Sequence, residues 1–231
     1  MFKAIMRKVL VLTDSLGLPR VSPSLIDDDQ CWPYRLADYA SGRFKFRIFS
    51  MPGMDSNQLL SLVHNYYSAI KPDIVVLQVG IVDCYPRAIK KTELSVLVRM
   101  PGVVSRFVHR LVKRFYAQLI VSRDIRYVSP TSFQANLQAL STVFEGARIL
   151  VVPIAPPSAA YQARNPRIAP SVDEYNQLLK RHFSAGYLGA CYPANAPEEI
   201  FLSDNHHLNE MGNKLVFDAV KRELDSLSAN E

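Results

Sequence analysis

The chain has 231 residues, a formal net charge of +6, and 48% hydrophobic against 21% charged residues. This balance is typical of a globular protein and excludes an extensively disordered chain. No linker-like segment or internal repeat divides the sequence, so we expect one domain over residues 1–231. The N-terminal apolar run is too short for a signal peptide or a membrane span, which predicts a cytoplasmic protein.

Apolar segments of strand length recur along the chain and predict a buried sheet. They lie at residues 7–13, 44–50, 73–80 and 147–154, with a weaker candidate at 187–191. Between them, apolar residues at helical spacing predict helices that cover the sheet. These helices are expected from about residue 56, over about 131–145, from about 172, and from about 208 towards the C-terminus.

Alternating strands and helices indicate an α/β fold with helices on both faces of a mostly parallel sheet. Right-handed crossovers favour a three-layer, flavodoxin-like α/β/α arrangement, here with five strands. Ligands bind such sheets at the carboxyl ends of the strands. The loops after the first three strands are predicted to meet there, and they hold Asp14 with Ser15, Gly53, and residues 80–83. The segment before the last helix can reach the same edge.

A basic segment at about residues 86–128 interrupts this plan and is predicted to be an inserted pair of amphipathic helices, broken at Pro101 and Gly102. Between residues 87 and 126, ten lysines and arginines stand against two acids. Three interpretations remain open: a solvated helical face, a lid or homodimer surface, and an interfacial helix that holds the protein at an anionic membrane or another anionic polymer. Nucleic acid is the weakest partner, because no known binding fold accompanies these cations.

The cysteines give no sign of a disulfide framework or a metal site. Without an export signal, Cys31, Cys84 and Cys191 are expected to be reduced. Their spacing is not that of metal ligands. The sequence therefore predicts neither a metal nor another cofactor.

The segment SDNHHLNEMGN contains the side chains that a serine nucleophile needs. A serine reacts at neutral pH only when an imidazole accepts its proton and an acid orients that imidazole. Asp204 and His207 are three residues apart, so one turn can bring the carboxylate back to the ring, whereas the spacing to His206 fits less well. Asp204 could instead cap the last helix, and His207 could be a hydrogen-bonded core residue.

These motifs resemble those of the SGNH (GDSL-like) hydrolase family. Thr13, Asp14 and Ser15 stand where the family has Gly-Asp-Ser, and Asp204 to His207 match its Asp-x-x-His block. The resemblance implies that Ser15 is the nucleophile, His207 the general base and Asp204 the orienting acid. Asp14 is then expected to shape the nucleophile loop rather than to transfer protons.

The same resemblance predicts an oxyanion hole with one donor missing. Gly53 matches the family's second-block glycine, so the backbone amides of Ser15 and Gly53 would bind the oxyanion. The family's third donor is an asparagine side chain, and here its position holds Val82, which cannot donate. The enzyme is then slow, or a neighbour replaces the donor, and the nearest candidates are Asp83, Cys84 and Arg87.

The implied function is hydrolysis of esters through an acyl-Ser15 intermediate, with a carbohydrate or small-molecule ester as substrate in the manner of a deacetylase. Two alternatives stay open: an O-acyltransferase acting on a glycan precursor, and a catalytically silent domain that binds a glycan or a membrane-linked partner. The stretch GIVDCYPR resembles family members associated with bacterial surface-polysaccharide gene clusters, which favours a glycan. Asp14, Asp83 and Arg87 are predicted to contact the substrate.

Overall fold

The sheet has four parallel strands in a computed structural model that describes residues 6–193 and 197–229. The strands are β1 (Arg7–Thr13), β2 (Phe44–Ser50), β3 (Ile74–Gln78) and β4 (Arg148–Val151), in the order β2-β1-β3-β4. Thr13 at the end of β1 is in register with Ser50 on one side and Gln78 on the other. The first three strands therefore end at one level, and the loops that follow them share one edge.

Helices cover both faces of this sheet, as the sequence predicts. Successive side chains of a strand point to opposite faces of the sheet. All five residues of β3 are buried, so both faces are covered. The helices of this body are α1 (Trp32–Tyr39), α2 (Ser56–Asn65), α3 (Ile81–Cys84), α7 (Pro130–Val143), α8 (Ala159–Arg164), α9 (Ile168–His182) and α10 (Glu210–Ala229). On one side α1 packs against α10, and on the other α2 and α9 both pack against α7.

The predicted fifth strand at 187–191 is wrong, because the chain pairs with β4 at a single point. Tyr187 forms an isolated parallel bridge with Val151. The approach is so close that a Cβ atom on Gly186 would lie 1.9 Å from the Ile149 carbonyl oxygen. Local hydrogen bonds, from the Gly189 amide to the Tyr187 carbonyl and from the Cys191 amide to the Leu188 carbonyl, then turn the chain away from the sheet.

Two helical predictions also need correction. The proline-rich loop after β4 contains α8, and α9 begins at Ile168 rather than near 172, since a proline in the first helical turn, here Pro170, is tolerated. The segment 86–128 forms three helices instead of two: α4 (Lys91–Arg99), α5 (Gly102–Arg114) and α6 (Tyr116–Arg123). The predicted break at Pro101 and Gly102 separates α4 from α5, and a second break at Phe115 separates α5 from α6.

The ends of this insertion are tied together at the base. The Arg87 amide donates to the Ile125 carbonyl oxygen at 2.8 Å, within an isolated antiparallel bridge. Leu97 and Ile120 are buried, whereas α5 buries none of its residues. The insertion thus leaves the α/β body and returns to it at one place, and its middle helix, α5, lies at the surface.

Candidate active site at the carboxyl edge of the sheet

Ser15 is held at the end of β1 by a short capped turn. A 3-10 turn spans Ser15–Gly17, and the Asp14 carboxylate caps it by accepting from the Leu16 amide at 2.9 Å. Gly17 is required there, because a Cβ atom at this position would lie 2.3 Å from Thr13 Oγ1. The side chain that replaces the usual family glycine at position 13 thus occupies the space above Gly17.

Three side chains from distant parts of the chain form one hydrogen-bonded series. Ser15 Oγ lies 3.2 Å from His207 Nε2, and His207 Nδ1 lies 2.7 Å from Asp204 Oδ2. The other oxygen of Asp204 accepts from the amides of His206 and His207 at 2.9 and 3.0 Å. Asn205, in a left-handed conformation with φ of 59°, lets the chain make this turn. The arrangement has the geometry of a Ser-His-Asp triad.

Asp204 does not cap the last helix, and only one of the two neighbouring histidines faces Ser15. Asn209 caps α10 in place of Asp204, since its side-chain oxygen accepts from the Gly212 amide at 2.9 Å. His206 turns the other way, with Nδ1 3.2 Å from the Tyr161 hydroxyl. His207 is therefore the histidine that faces Ser15.

The electrostatic surroundings favour a neutral imidazole beside an ionised acid. Burial lowers the pKa of His207, the nearby Arg20 cation lowers it further, and the hydrogen bond to Asp204 opposes both. Burial tends to raise the pKa of Asp204, but hydrogen bonds from the two histidines outweigh it and bring that pKa below its usual value. Burial and the neighbouring His207 lower the pKa of His206 to about 4. At neutral pH the ring facing Ser15 can accept a proton.

The predicted oxyanion donors lie at an open cleft. This cleft has a volume of ≈ 430 Å³ and includes Ser15, Gly53 and Val82 in its wall. Among the described residues, no acceptor binds the amide of Ser15 or Gly53. Both amides are thus available to a ligand, and the Val82 side chain offers no third donor.

Two predicted substrate contacts are wrong. Asp14 and Asp83 are completely buried, so neither carboxylate can touch a substrate. Asp83 instead accepts from the amide and hydroxyl of Ser56 at 2.9 and 2.5 Å and fixes the start of α2. Burial raises the pKa of Asp14 to about 7 and that of Asp83 to about 6. These acids shape the loops beneath the site.

The same burial removes two of the three candidates for the missing donor. Asp83 is occupied by Ser56, and Cys84 is buried with its Sγ directed to the Ile81 carbonyl oxygen at 3.6 Å. Arg87 differs, since its side chain forms part of the cleft wall. Of the substrate contacts predicted from the sequence, only Arg87 reaches the cleft.

Several residues of the site carry no signal in the sequence. Arg20 donates to the Ser15 carbonyl oxygen at 2.5 Å and adds a cation beside the triad. Tyr85, Tyr127 and Tyr161 bring aromatic surface to the cleft from three separate segments. Their convergence depends on the tertiary structure, and no local motif announces it.

A much smaller apolar pocket adjoins the cleft. It has a volume of ≈ 20 Å³ and shares Ile81, Tyr161 and His206 with the larger space. Leu16, the residue after the candidate nucleophile, contributes to its wall, together with Ile154. A pocket of this size holds about one water-sized group, such as a methyl.

The described residues reveal no metal site and no membrane span. Across 6–193 and 197–229, no group of three or more His, Cys, Asp or Glu side chains could hold a metal ion. Over the same ranges, no helix has the length and hydrophobicity needed to cross a bilayer. Cys31, Cys84 and Cys191 are buried and unpaired.

Comparison with solved structures gives the fold. A lipase/acylhydrolase from Enterococcus faecalis matches with a TM-score of 0.66 at 14% identity, over 96% of both chains. An acetylxylan esterase from Geobacillus stearothermophilus matches with a TM-score of 0.59 at 16% identity, over 94% of this chain and 93% of the other. A GDSL-like lipase from Bacteroides thetaiotaomicron matches with a TM-score of 0.57 at 10% identity, over 96% of this chain and 89% of the other.

No protein-family model and no curated protein sequence matches the chain. At identities of 10% to 16%, the structural similarity establishes the fold and leaves activity open. The chain has the SGNH-like α/β fold that its motifs predict, and that prediction is confirmed. The association with polysaccharide gene clusters stays a prediction.

Proposed function

We propose that the protein is a serine esterase that removes a short acyl group, such as acetyl, from a carbohydrate or a similar small molecule. The observation that carries this proposal is the series from Ser15 through His207 to Asp204, which opens into the cleft. A serine that only caps a helix does not need a histidine and an acid beside it. A serine that attacks an ester does, because the histidine must accept its proton and the acid must orient the histidine.

In this mechanism Ser15 Oγ attacks the ester carbonyl carbon while its proton passes to His207 Nε2. Asp204 stabilises the resulting imidazolium through Nδ1. The amides of Ser15 and Gly53 donate to the oxyanion, which then collapses to acyl-Ser15. The leaving alcohol takes the proton from Nε2, and a water molecule repeats the sequence to release the acid and restore Ser15.

The two adjoining spaces suggest how the substrate lies. The pocket of ≈ 20 Å³, whose wall includes Leu16 next to the candidate nucleophile, suits the methyl group of an acetyl. The cleft of ≈ 430 Å³ lies within the range of about 300–1,000 Å³ that small-molecule sites occupy. Its tyrosines combine aromatic faces with hydroxyl groups, which suits a sugar that has both apolar and hydrogen-bonding surface.

Labelling with a fluorophosphonate probe, followed by intact-mass measurement, tests the proposal directly. We expect the native protein to gain one probe adduct, and Ser15→Ala and His207→Ala to gain none. Ser61→Ala and His64→Ala are matched controls, because both residues are exposed on α2. They should label like the native protein.

Hydrolysis of aryl esters of increasing acyl length tests the acyl pocket in the same samples. We expect acetate to be cleaved at least tenfold faster than octanoate. A native protein that neither labels nor hydrolyses would overturn the esterase proposal. Labelling with a preference for octanoate would keep the nucleophile and reject the short acyl group.

A further inference from the structure

Arg87 is a cation in the cleft, and within 6–193 and 197–229 it has no anionic partner. Its guanidinium carbon lies 4.1 Å from the ring centroid of Tyr127 and 4.9 Å from that of Tyr85. Its Nε is buried and makes no hydrogen bond, and no carboxylate of the described residues pairs with it. The two rings fix the plane of the guanidinium, while its donors remain unused.

The neighbouring lysine is different because its charge is already neutralised. Lys91 Nζ lies 2.5 Å from Asp55 Oδ2, although it also forms part of the cleft wall. Asp55 is buried and caps α2, so this ion pair belongs to the fold. Arg87 therefore supplies the unbalanced positive charge of the cleft.

We infer that the substrate carries an anionic oxygen group, a carboxylate or a phosphate, which Arg87 binds while the ester lies at Ser15. This inference rests on the proposed function and names its substrate class: an acylated acidic sugar or sugar phosphate. A guanidinium held flat presents parallel N–H donors that match either anion with two hydrogen bonds. An anion bound there would neutralise the charge of a guanidinium that is partly removed from water.

Titration of the Ser15→Ala protein at low ionic strength tests this without requiring catalysis. Calorimetry with glucuronate, glucose 1-phosphate and glucose separates the carboxylate, the phosphate and the neutral sugar. We expect one of the two anions to bind at least tenfold more tightly than glucose. Adding Arg87→Gln to this protein should remove the preference for the anion, and adding Arg87→Lys should keep part of it. The control Lys45→Gln changes an exposed cation on β2 and should leave the preference intact.

The outcomes distinguish this inference from the esterase proposal. Equal binding of all three ligands, or a preference that survives Arg87→Gln, would overturn the anion site even if Ser15 reacts with the probe. A preference that depends on Arg87 would support the site even if Ser15 fails to react. If Arg87→Gln slowed turnover of a neutral aryl acetate and left ligand preference unchanged, Arg87 would belong to the oxyanion hole instead.

A second inference comes from α5, whose apolar face is not covered by any of the residues that the structure describes. Phe107, Leu111 and Phe115 are spaced four residues apart and so share one side of the helix, and they are 65%, 48% and 43% exposed. Val103 and Val104 extend the apolar surface and are 72% and 46% exposed. The 13 residues of α5 include none that is buried, so an exposed apolar surface of this size marks it as a candidate contact face.

The charges around this face select the partner. The helix carries Arg106, Arg110, Lys113 and Arg114 and no acid. The two acids of the wider insertion, Glu93 and Asp124, are already paired with Arg123 and Arg126. A second copy of the chain would bring like charges together, whereas an anionic lipid surface would neutralise them.

We propose that α5 binds the surface of an anionic membrane, with its apolar face inserted at the level of the headgroups. Vesicle flotation tests this with phosphatidylglycerol and phosphatidylcholine vesicles. We expect binding to the anionic vesicles alone, with loss at 0.5 M salt. Phe107→Ser with Leu111→Ser should weaken binding at least tenfold. Leu25→Ser, the same type of substitution at one residue 60% exposed outside the insertion, should not.

Three results would overturn the membrane inference. The first is an absence of binding to either vesicle, and the second is binding that the double variant retains. The third is a dimer, seen by sedimentation, that the same variant dissociates, since it would assign the apolar face to a second copy.

Discussion

Apolar side chains are buried at the carboxyl edge of the sheet and exposed in helix α5. At the edge, Leu16 and Ile81 are 6% and 8% exposed, whereas Val103 and Phe107 in α5 are 72% and 65% exposed. The polar groups differ too: Ser15, His207 and Asp204 at the edge are hydrogen-bonded to one another, while the cations of α5 face no acid of their own helix. Substitutions at the edge should therefore change catalysis and folding, and those in α5 should change what the folded protein binds.

The largest effect is expected for Asp204→Asn. Its amide can donate to the imidazole and stabilise the wrong tautomer, so kcat on an aryl acetate should fall by roughly 10³–10⁴-fold. Asp14→Asn is the matched control, because its remaining side-chain oxygen can still accept from the Leu16 amide. It should retain activity within about tenfold. Equal losses in the two variants would contradict the assignment of the acid to Asp204.

Val82→Asn should produce a gain in turnover. Removal of one oxyanion donor from an enzyme reduces kcat by about 10²–10³-fold, so restoring a donor at the cleft wall should return part of that factor, about tenfold. Steady-state hydrolysis of an aryl acetate measures it. Val82→Leu adds no donor and should give no gain. If both substitutions reduce kcat alike, residue 82 does not face the oxyanion.

A pair of glycine substitutions compares the packing of the two regions. Gly17→Ala meets Thr13 Oγ1 at 2.3 Å, whereas a Cβ atom on Gly102, at the start of α5, meets nothing within 4 Å. The free energy of unfolding in urea should fall by about 1–3 kcal/mol for Gly17→Ala. It should stay within about 0.5 kcal/mol for Gly102→Ala.

A double-mutant cycle tests the cause of the first effect. In a Thr13→Gly background the conflict with Gly17→Ala should disappear, because the crowding atoms belong to the Thr13 side chain. A penalty that persists there would place the strain elsewhere in the turn. A large penalty for Gly102→Ala would mean that α5 packs more tightly than its exposure indicates.

The fold was largely predictable from the sequence because its signals are local. The observed bounds of β1 and β2 equal the predicted ones, since each is a run of apolar or alternating residues with a polar end. The prediction of a fifth strand failed because local hydrogen bonds turn the chain away from β4 directly after Tyr187. Helix α1 was missed because an eight-residue helix with Pro33 in its first turn gives little periodic signal.

The site was predictable only where one segment contains the chemistry. Asp204 and His207 lie three residues apart, so their pairing can be proposed before any tertiary structure is known. By contrast, Arg87 and Tyr127 are forty residues apart in the sequence. They stack only because the two ends of the insertion pair with each other. Asp14 and Asp83 were wrongly predicted to contact the substrate, because the sequence does not show whether an acid lines a cleft or is buried beneath it.

The smallest expected effect is a shift in the pH dependence of kcat/KM. Burial and the Arg20 cation lower the pKa of His207, so the acid limb of kcat/KM should lie below the ordinary histidine value of 6.5. Arg20→Gln removes one of these causes, which raises the pKa of His207 and must move the limb to higher pH. Arg47→Gln, at an exposed cation on β2, should leave the limb in place. A limb that moves to lower pH would contradict the effect assigned to Arg20. A limb that stays in place would mean that burial alone lowers the pKa of His207, and that Arg20 acts through its hydrogen bond to the Ser15 carbonyl oxygen.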